Sequence, residues 1–262
     1  MITALYVPGN RPDRFGKAVD AGADMVIVDW EDAVPPAEKA HAREVVVDWL
    51  MAPRSAVPVI QIRINHDEPL DLSALANVTT SFEVRVPKVE SLDDLDRVAE
   101  VLPGRSLTAL LETALGVENA LTLAAHPAVT RLALGESDLA SDLGTNEPVA
   151  MDYARVRVLY AARAAGLEAP MLSAFAGIRD LDGLRRDTER GRDLGWVGRT
   201  AIHPTQLAVI ADVFRPAAES IAWANEVLAA TSSGGVSTLA NGDMVDQAMI
   251  GRARSILHRS MQ

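Results

Sequence analysis

Residues 107–138 read LTALLETALGVENALTLAAHPAVTRLALGESD, and this stretch holds two short apolar runs with a helical pattern between them. The first run, residues 107–111, stops at Glu112, and the second, residues 129–134, is soon followed by Asp138. Parallel strands need a crossover connection, which is usually a helix, so this order predicts two parallel neighbours. An acidic residue just past each buried strand indicates a site that gathers strand ends.

The same unit recurs along the chain. Apolar or β-branched runs bounded by turn residues predict eight strands, at residues 3–7, 25–28, 57–62, 82–86, 107–111, 129–134, 170–174 and 196–201. Helical patterns lie between them, at residues 13–21, 37–50, 92–101, 117–125, 152–165 and 181–194. Eight repeats predict an α/β fold of the (β/α)8 TIM-barrel class. An open dinucleotide-binding sheet is the main alternative, but no G-x-G-x-x-G follows the first strand.

The chain continues beyond the eighth strand further than one closing helix requires. We predict a catalytic barrel at residues 1–214 and a C-terminal helical arm at residues 215–262. The arm is predicted to contain helices at 216–230 and 245–258, on either side of a Ser/Gly-rich break at 231–235. Such an arm packs on a neighbouring subunit or folds back on its own barrel, and the spacing alone leaves both open.

The composition bounds the class of protein. The 262 residues carry a formal net charge of -11, which disfavours binding to nucleic acid and to anionic membranes. With no cysteine, disulfides, thiolate nucleophiles and thiolate-bound metals are excluded. The first residues lack the pattern of a secretory signal, and no apolar run reaches the roughly 18 residues of a membrane span. We therefore expect a cytoplasmic protein.

Glu112 and Asp138 are the candidate metal ligands. They follow consecutive predicted strands, so both carboxylates can approach one ion from the barrel mouth. Hard oxygen donors suit Mg²⁺, which takes one or two protein carboxylates and completes its octahedron with water or substrate. The five histidines show no zinc-ligand spacing. An isolated acidic residue is more often a solvated charge or a helix cap, but two at successive strand ends favour the metal site.

Arg63 is the candidate arginine for the substrate, because a guanidinium at a strand end can bind a carboxylate or stabilise an enolate oxygen. A structural ion pair with the acidic cluster Asp29, Glu31 and Asp32 is compatible with that role. One of these acids can orient Arg63, another can hold water molecules bound to the metal, and one can cap the following helix. Lys88 after the fourth strand either binds substrate or bridges two strand ends.

The first loop is a candidate anion site. Residues 8–14 read PGNRPDR and lead into a helix, where Arg14 and Lys17 would add positive charge for a phosphate-bearing ligand. An ordinary capped helix with solvated basic side chains is the simpler interpretation of this segment taken alone.

Several segments together resemble the citrate lyase β-subunit-like family, within the aldolase and citrate lyase superfamily. The matching segments are YVPGNRPDRFGKA (6–18), DMVIVDWEDAVPPAEKAHAR (24–43), VIQIRIN (59–65), VPKVES (86–91), LLETALGVENA (110–120), LALGESDLASDLG (132–144), LGWVGRTAIHPTQ (194–206) and NGDMVDQAMIGRAR (241–254). They span nearly the whole chain in the family's order. This family is similar to malyl-CoA and citramalyl-CoA lyases, which are trimeric Mg²⁺-dependent barrels.

The resemblance implies roles for individual residues. It implies that Glu112 and Asp138 bind Mg²⁺, with Glu112 also contacting substrate, and that Arg63 serves the substrate and its enolate. It further implies that Asp246 reaches the site of a neighbouring subunit as an acid/base group. The family usually has leucine where this chain has Trp30.

The predicted function is reversible carbon–carbon cleavage of a β-hydroxyacyl thioester into a keto acid and an acyl thioester. The predicted partners are a small keto or hydroxy acid, a CoA thioester and further copies of the chain in a homotrimer or larger homo-oligomer. Three alternatives remain. They are a citrate lyase β subunit acting on a citryl group carried by an acyl-carrier protein, a Mg²⁺-dependent aldolase acting on free hydroxy-keto acids, and a non-catalytic barrel scaffold.

Overall fold

The computed structural model describes residues 1–52, 58–231, 238–239 and 244–260. Within these residues, eight parallel strands close into a barrel in chain order, with the last strand pairing to the first. The strands are β1 (Thr3–Pro8), β2 (Met25–Asp29), β3 (Val59–Arg63), β4 (Glu83–Val86), β5 (Leu107–Leu111), β6 (Val129–Leu134), β7 (Met171–Leu172) and β8 (Gly198–Ala201). The predicted TIM barrel is confirmed.

Helices connect the strands and follow the last of them. They are α1 (Pro12–Asp20), α2 (Lys39–Met51), α3 (Pro69–Leu75), α4 (Leu92–Val101), α5 (Ala114–Glu118), α6 (Ala120–Ala124), α7 (Glu136–Leu143), α8 (Pro148–Ala164), α9 (Leu181–Leu194), α10 (Thr205–Phe214), α11 (Ala218–Thr231) and α12 (Gln247–Ser260), with a 3-10 turn at Pro36–Glu38 before α2. The single helix predicted at residues 117–125 is wrong. Asn119 separates two short helices there, because its backbone leaves the helical region and its side chain donates to the Glu90 carbonyl at 2.8 Å.

Six predicted strands differ from the observed ones by one or two residues at one or both ends. The seventh was expected at residues 170–174 but spans Met171–Leu172 only; its later start follows from Pro170, which has no N–H to give to a neighbouring strand. The third begins at Val59, and residue 57 of its predicted range lies outside the described residues. Residues 232–235 of the predicted Ser/Gly-rich break also lie outside them.

The barrel interior changes character along its axis. All five residues of β2 are buried, and the first four are apolar, as is typical of a parallel strand. Ala4, Met25 and Ile27 form an apolar cluster in the barrel. Polar side chains lie further along the strands, where Asp29 is in register with Arg63 and Arg63 with Arg85. The polar interior therefore lies toward the carboxyl ends of the strands.

The chain divides into two compact units, Met1–Val213 and Phe214–Gln262. In the second unit α11 packs on α12 around a small apolar cluster formed by Ala224, Val227, Leu239, Ala253 and Ile256. The Arg252 guanidinium lies 4.9 Å from the centre of the Trp223 ring. The predicted packing of this arm on a neighbouring subunit stays a prediction. Among the described residues, no helix combines the length and apolar character that a bilayer crossing requires.

Candidate active site

A cavity of about 390 Å³ opens at the carboxyl ends of the strands. Its lining includes Tyr6, Pro8, Asp29, Asp32, Arg63, Arg85, Glu112, Glu136, Asp138, Ser173 and Thr200. These residues are far apart in sequence and meet because parallel strands of a barrel end at the same face. The cavity is the candidate active site, and it contains the predicted residues Asp29, Arg63, Glu112 and Asp138.

Glu112 directly follows β5 and is only 2 % exposed. One oxygen, Oε2, accepts a hydrogen bond from the Lys88 backbone N–H at 3.0 Å. The other lies against Gly135, where an added Cβ would come within 2.4 Å of Oε1. Glycine at this position leaves room for the Glu112 carboxylate where it lies, and a larger residue would force that carboxylate to move.

Asp138 lies in the first turn of α7, which starts directly after Gly135. A carboxylate is favoured there because the N-terminus of a helix carries partial positive charge. The helix start is anchored by Glu136, whose two oxygens accept hydrogen bonds from Arg155 at 2.7 and 2.8 Å. Arg155 is buried and also donates to Asp187 at 3.1 Å. This network holds the turn that presents Asp138 to the cavity.

The electrostatics of Glu112 favour a cation beside it. Burial raises its pKa, the charges of Glu31 and Asp138 raise it further, and Arg63 offsets part of the shift, leaving a pKa of about 8. No salt bridge to either Glu112 or Asp138 occurs within the described ranges. A divalent cation would remove this unfavourable charge balance.

Arg63 is almost surrounded by acids. Its Nε and Nη2 each donate to Asp29 at 2.7 Å, and its Nη1 lies 2.9 Å from Glu31 Oε2 and 3.1 Å from Asp32 Oδ2. Burial lowers the pKa of Arg63, but the hydrogen bond and charge of Asp29, with the charge of Glu31, raise it above its usual value. The fork-like contact fixes the plane of the guanidinium. Of the predicted acid roles, orienting Arg63 falls to Asp29.

Glu31 and Lys88 link different parts of the rim. Glu31 is buried, and its Oε1 accepts from Lys88 Nζ at 2.9 Å. Burial raises the pKa of Glu31, against the opposing effects of Arg63 and Lys88. Lys88 adopts a φ of 51°, a left-handed conformation that is uncommon for a non-glycine residue. The lysine thus joins two strand ends, which was one of its two predicted roles.

Three further residues were predicted to take part in the site. Arg14 and Lys17 are exposed on α1 and are absent from the lining of the mouth cavity. Asp246 belongs to the second unit, where its Oδ1 accepts from the Met249 N–H at 2.7 Å and so caps α12. Their predicted roles in substrate binding and in acid/base chemistry stay predictions.

Arg85 and Tyr6 were missed by the sequence interpretation. Both line the cavity, and Arg85 Nη1 donates to the Tyr6 hydroxyl at 3.1 Å. The Tyr6 ring lies 5.1 Å from the Arg63 guanidinium carbon and 5.6 Å from that of Arg85. The available signal was an arginine inside a predicted strand, in residues 82–86, which read FEVRV.

The donors at the mouth fit a hard cation. The described residues contain no group of three or more His, Cys, Asp or Glu side chains able to hold a metal ion together. Glu112 and Asp138 offer two carboxyl groups that line the cavity, and no described residue forms a salt bridge with either. Two carboxylates with room for water and substrate match Mg²⁺ and not a closed zinc site.

Comparison with known proteins agrees with this geometry. The family model for HpcH/HpaI aldolase/citrate lyase matches residues 3–204. The chain belongs to this family. A (3S)-malyl-CoA thioesterase of Cereibacter sphaeroides is 36% identical over 235 residues, which cover 87% of this chain and 82% of the relative. A citrate lyase subunit beta-like protein of Mycobacterium tuberculosis is 34% identical over 264 residues, covering 98% and 94%.

Among solved structures, the chain is similar to CitE of Mycobacterium tuberculosis in complex with magnesium, acetoacetate and coenzyme A. It superposes with a TM-score of 0.84 at 31% identity and covers 100% of this chain and 98% of its own. The family predicted from sequence is confirmed, and the magnesium in this complex agrees with the predicted cofactor.

Proposed function

We propose that this protein is a Mg²⁺-dependent carbon–carbon lyase acting on a β-hydroxyacyl thioester of the malyl-, citramalyl- or citryl-CoA type. It would cleave the substrate into a keto acid and an acyl thioester, or condense them in reverse. The observation that carries the proposal is the placement of Glu112, Asp138 and Arg63 around one cavity at the barrel mouth. Membership of an aldolase and lyase family supports it.

Glu112 and Asp138 would hold the Mg²⁺ ion. When bound there, the ion supplies a Lewis acid that polarises the oxygen atoms of the keto or hydroxy acid. Glu112 must be ionised for this role, and its raised pKa means that the metal-free site favours a proton in place of the cation. The magnesium complex of the structural neighbour supports this assignment.

Arg63 would stabilise the negative charge that develops as the thioester fragment leaves as an enolate. Electrostatic stabilisation is most effective when the donor is already oriented before the charge appears. Asp29 provides that orientation through two hydrogen bonds, and Glu31 adds an ion-pair contact. Asp29 and Glu31 therefore contribute to the reaction through Arg63.

We assign the proton transfer to Asp246 of a neighbouring subunit, as the sequence resemblance implies. The carboxylate is exposed and lies at the start of α12. A homotrimer or larger homo-oligomer is part of this proposal. The exposed Val149, Tyr153, Val156 and Tyr160 recur at helical spacing on α8, which supports a contact between copies. The cytoplasmic location stays a prediction.

Arg14 and Lys17 would bind the phosphates of the CoA thioester. Both are exposed basic residues on α1, whose first turn follows the β1 loop. The coenzyme A in the structural neighbour's complex supports a CoA ligand. The same residues would serve a phosphopantetheine group carried by an acyl-carrier protein.

Thioester hydrolysis is a second candidate, favoured by the similarity to a malyl-CoA thioesterase. The two reactions differ in products: a lyase releases a keto acid and an acyl thioester, whereas a hydrolase releases a free hydroxy acid and CoA. Product analysis with malyl-, citramalyl- and citryl-CoA separates them. Turnover only with a carrier-protein thioester would favour a citrate lyase β subunit, and turnover of free acids would favour an aldolase.

The decisive test combines metal binding and turnover in matched variants. We expect Glu112→Gln and Asp138→Asn each to abolish Mg²⁺ binding in calorimetry, together with Mg²⁺-dependent product formation. Asp142→Asn is the control, because Asp142 lies one turn further along α7, is exposed and does not line the cavity. Its carboxylate accepts a hydrogen bond from the Ala114 backbone N–H. Activity that survives in Glu112→Gln without metal would refute the proposal. If the wild type does not bind Mg²⁺ at all, the non-catalytic scaffold alternative is favoured.

A further inference from the structure

Arg85 is a second arginine of the cavity and lies deeper than the metal-binding carboxylates. It is in register with Thr108, which precedes Glu112 by four residues on β5. The Arg85 backbone therefore lies further from the carboxyl end of β5 than that of Glu112. The side chain lines the cavity, and the residue is only 5 % exposed.

The hydrogen bonds of Arg85 go to neutral partners. Its Nε donates to Gln61 Oε1 at 2.6 Å, and its Nη1 donates to the Tyr6 hydroxyl at 3.1 Å. In the described part of the chain, no carboxylate lies within ion-pair distance of it. The neighbouring acid, Glu83, is engaged by Gln61 at 3.1 Å and by Arg131 at 3.5 Å. Arg85 is therefore a buried cation without an anion.

A buried charge without a counter-charge is unfavourable for folding, because the lost hydration is not replaced. Such a group is retained when it binds an anion that arrives with the ligand. Arg63 cannot easily fill that role, since Asp29 and Glu31 already surround it. Tyr6 strengthens the case for Arg85: its oxygen accepts from Arg85, so its own O–H proton is left to donate into the cavity.

We propose that Arg85 and Tyr6 form an anion subsite on the cavity floor that binds a second carboxylate of the keto-acid fragment. The preferred ligand is then a dicarboxylic 2-keto acid, with its keto-acid end toward Glu112 and Asp138 and its other carboxylate at Arg85. The inference rests on the proposed function, because it takes the upper end of the cavity as the Mg²⁺ site.

Calorimetry with Mg²⁺ and either freshly dissolved oxaloacetate or pyruvate tests the subsite, since the two acids differ by one carboxylate. We expect the wild type to bind oxaloacetate at least about 10-fold more tightly than pyruvate, as one charge-assisted hydrogen bond provides. Arg85→Met should weaken oxaloacetate binding roughly 10- to 100-fold and change pyruvate binding little. Arg85→Lys should retain part of the preference, and Tyr6→Phe should lose a smaller part.

The melting temperature separates a binding role from a structural one. Arg85→Met should melt at the same or a higher temperature than the wild type, because an unpaired buried charge is removed. The matched control is Arg131→Met, an arginine of β6 that pairs with Glu83 and Glu168. This control should melt at a lower temperature and keep the preference for oxaloacetate.

Each outcome bears on one proposal or on both. If both acids bind with Mg²⁺ but Arg85→Met keeps the wild-type preference, the subsite is refuted and the lyase proposal stands. Equal affinity of the wild type for oxaloacetate and pyruvate would likewise refute the subsite and leave the lyase proposal standing. If neither acid binds with Mg²⁺, the proposed function fails and the subsite fails with it. If Arg85→Met does not fold, Arg85→Lys and Tyr6→Phe provide the test. An unchanged preference of both variants for oxaloacetate over pyruvate would refute the subsite.

Discussion

The two sides of the barrel rim treat charge in opposite ways. Beyond β2 and β3, Arg63 is neutralised by Asp29 and Glu31, with Asp32 at its edge. Beyond β5 and β6, Glu112 receives one backbone hydrogen bond, from Lys88, and no described residue forms a salt bridge with it. We call these the paired side and the open side. The paired side fixes a catalytic group in place, whereas the open side is left short of positive charge and so favours an incoming metal.

This contrast separates stability from function. On the paired side, contacts that orient Arg63 also stabilise the fold, so substitutions should damage both. On the open side, the arrangement of carboxylates is unfavourable without the ion, so substitutions should harm binding and spare or improve stability. The expected effects below test this division, from the largest to the smallest.

The largest effect is expected from pH on the open side. The folded pKa of Glu112 is about 8, above its ordinary value of 4.5, so between these values the folded state binds more protons than the unfolded one. The free energy of unfolding of the metal-free protein should therefore fall as pH rises through this window. At about 1.4 kcal/mol per pKa unit, the contribution is on the order of 5 kcal/mol.

Denaturant unfolding of the wild type and Glu112→Gln in EDTA measures this contribution. The variant should match the wild type near pH 4 and exceed it near pH 9, and added Mg²⁺ should raise the stability of the wild type only. Equal stability of the two proteins at both pH values would contradict the description of the open side.

Asp29→Asn breaks the paired side. The change removes the charge that compensates buried Arg63, and breaking such a pair costs about 3–5 kcal/mol. Denaturant unfolding at neutral pH measures the loss. Asp32→Asn is the control, because its side chain is 60% exposed and its contact should contribute less than about 1 kcal/mol. Similar losses in the two variants would mean that Asp29 has no special role.

Gly135→Ala sharpens the open side with a smaller change. The new Cβ would lie 2.4 Å from Glu112 Oε1, so the carboxylate must move, at a cost of about 1–3 kcal/mol. Mg²⁺ affinity should fall with it, as measured by calorimetry. Gly16→Ala on α1 is the control, since nothing lies within 4 Å of its added Cβ and the helix should gain about 0.5–1 kcal/mol. Unchanged Mg²⁺ affinity in Gly135→Ala would contradict the proposed packing.

The barrel could be predicted because its repeating unit is local. Short apolar runs such as β2 and β6 alternate with helical patterns, and parallel strands leave few ways to connect them. The lengths were less predictable. β7 starts one residue later than predicted, at the residue after Pro170. The break at Asn119 depends on a hydrogen bond to the carbonyl of Glu90, 29 residues away in sequence.

The candidate site was predictable where its residues end strands. Glu112 and Arg63 follow buried runs, and the closed barrel brings them to one face. Arg85 was not found, because a strand in residues 82–86 can present an arginine to solvent or to the interior, and only the pairing of β4 with β3 and β5 decides which. The lack of an acidic partner for Arg85 is likewise visible only in three dimensions.

The single residue Lys88 contacts both the paired side and the open side of the rim. Its backbone N–H donates to Glu112, its ammonium group donates to Glu31, and a left-handed backbone allows both contacts at once. We therefore expect cation binding by Glu112 and the ion pair between Glu31 and Arg63 to be thermodynamically coupled, and such coupling is reciprocal. Filling the metal position should strengthen the ion pair between Glu31 and Arg63, and loss of that ion pair should in turn lower the affinity for the ion.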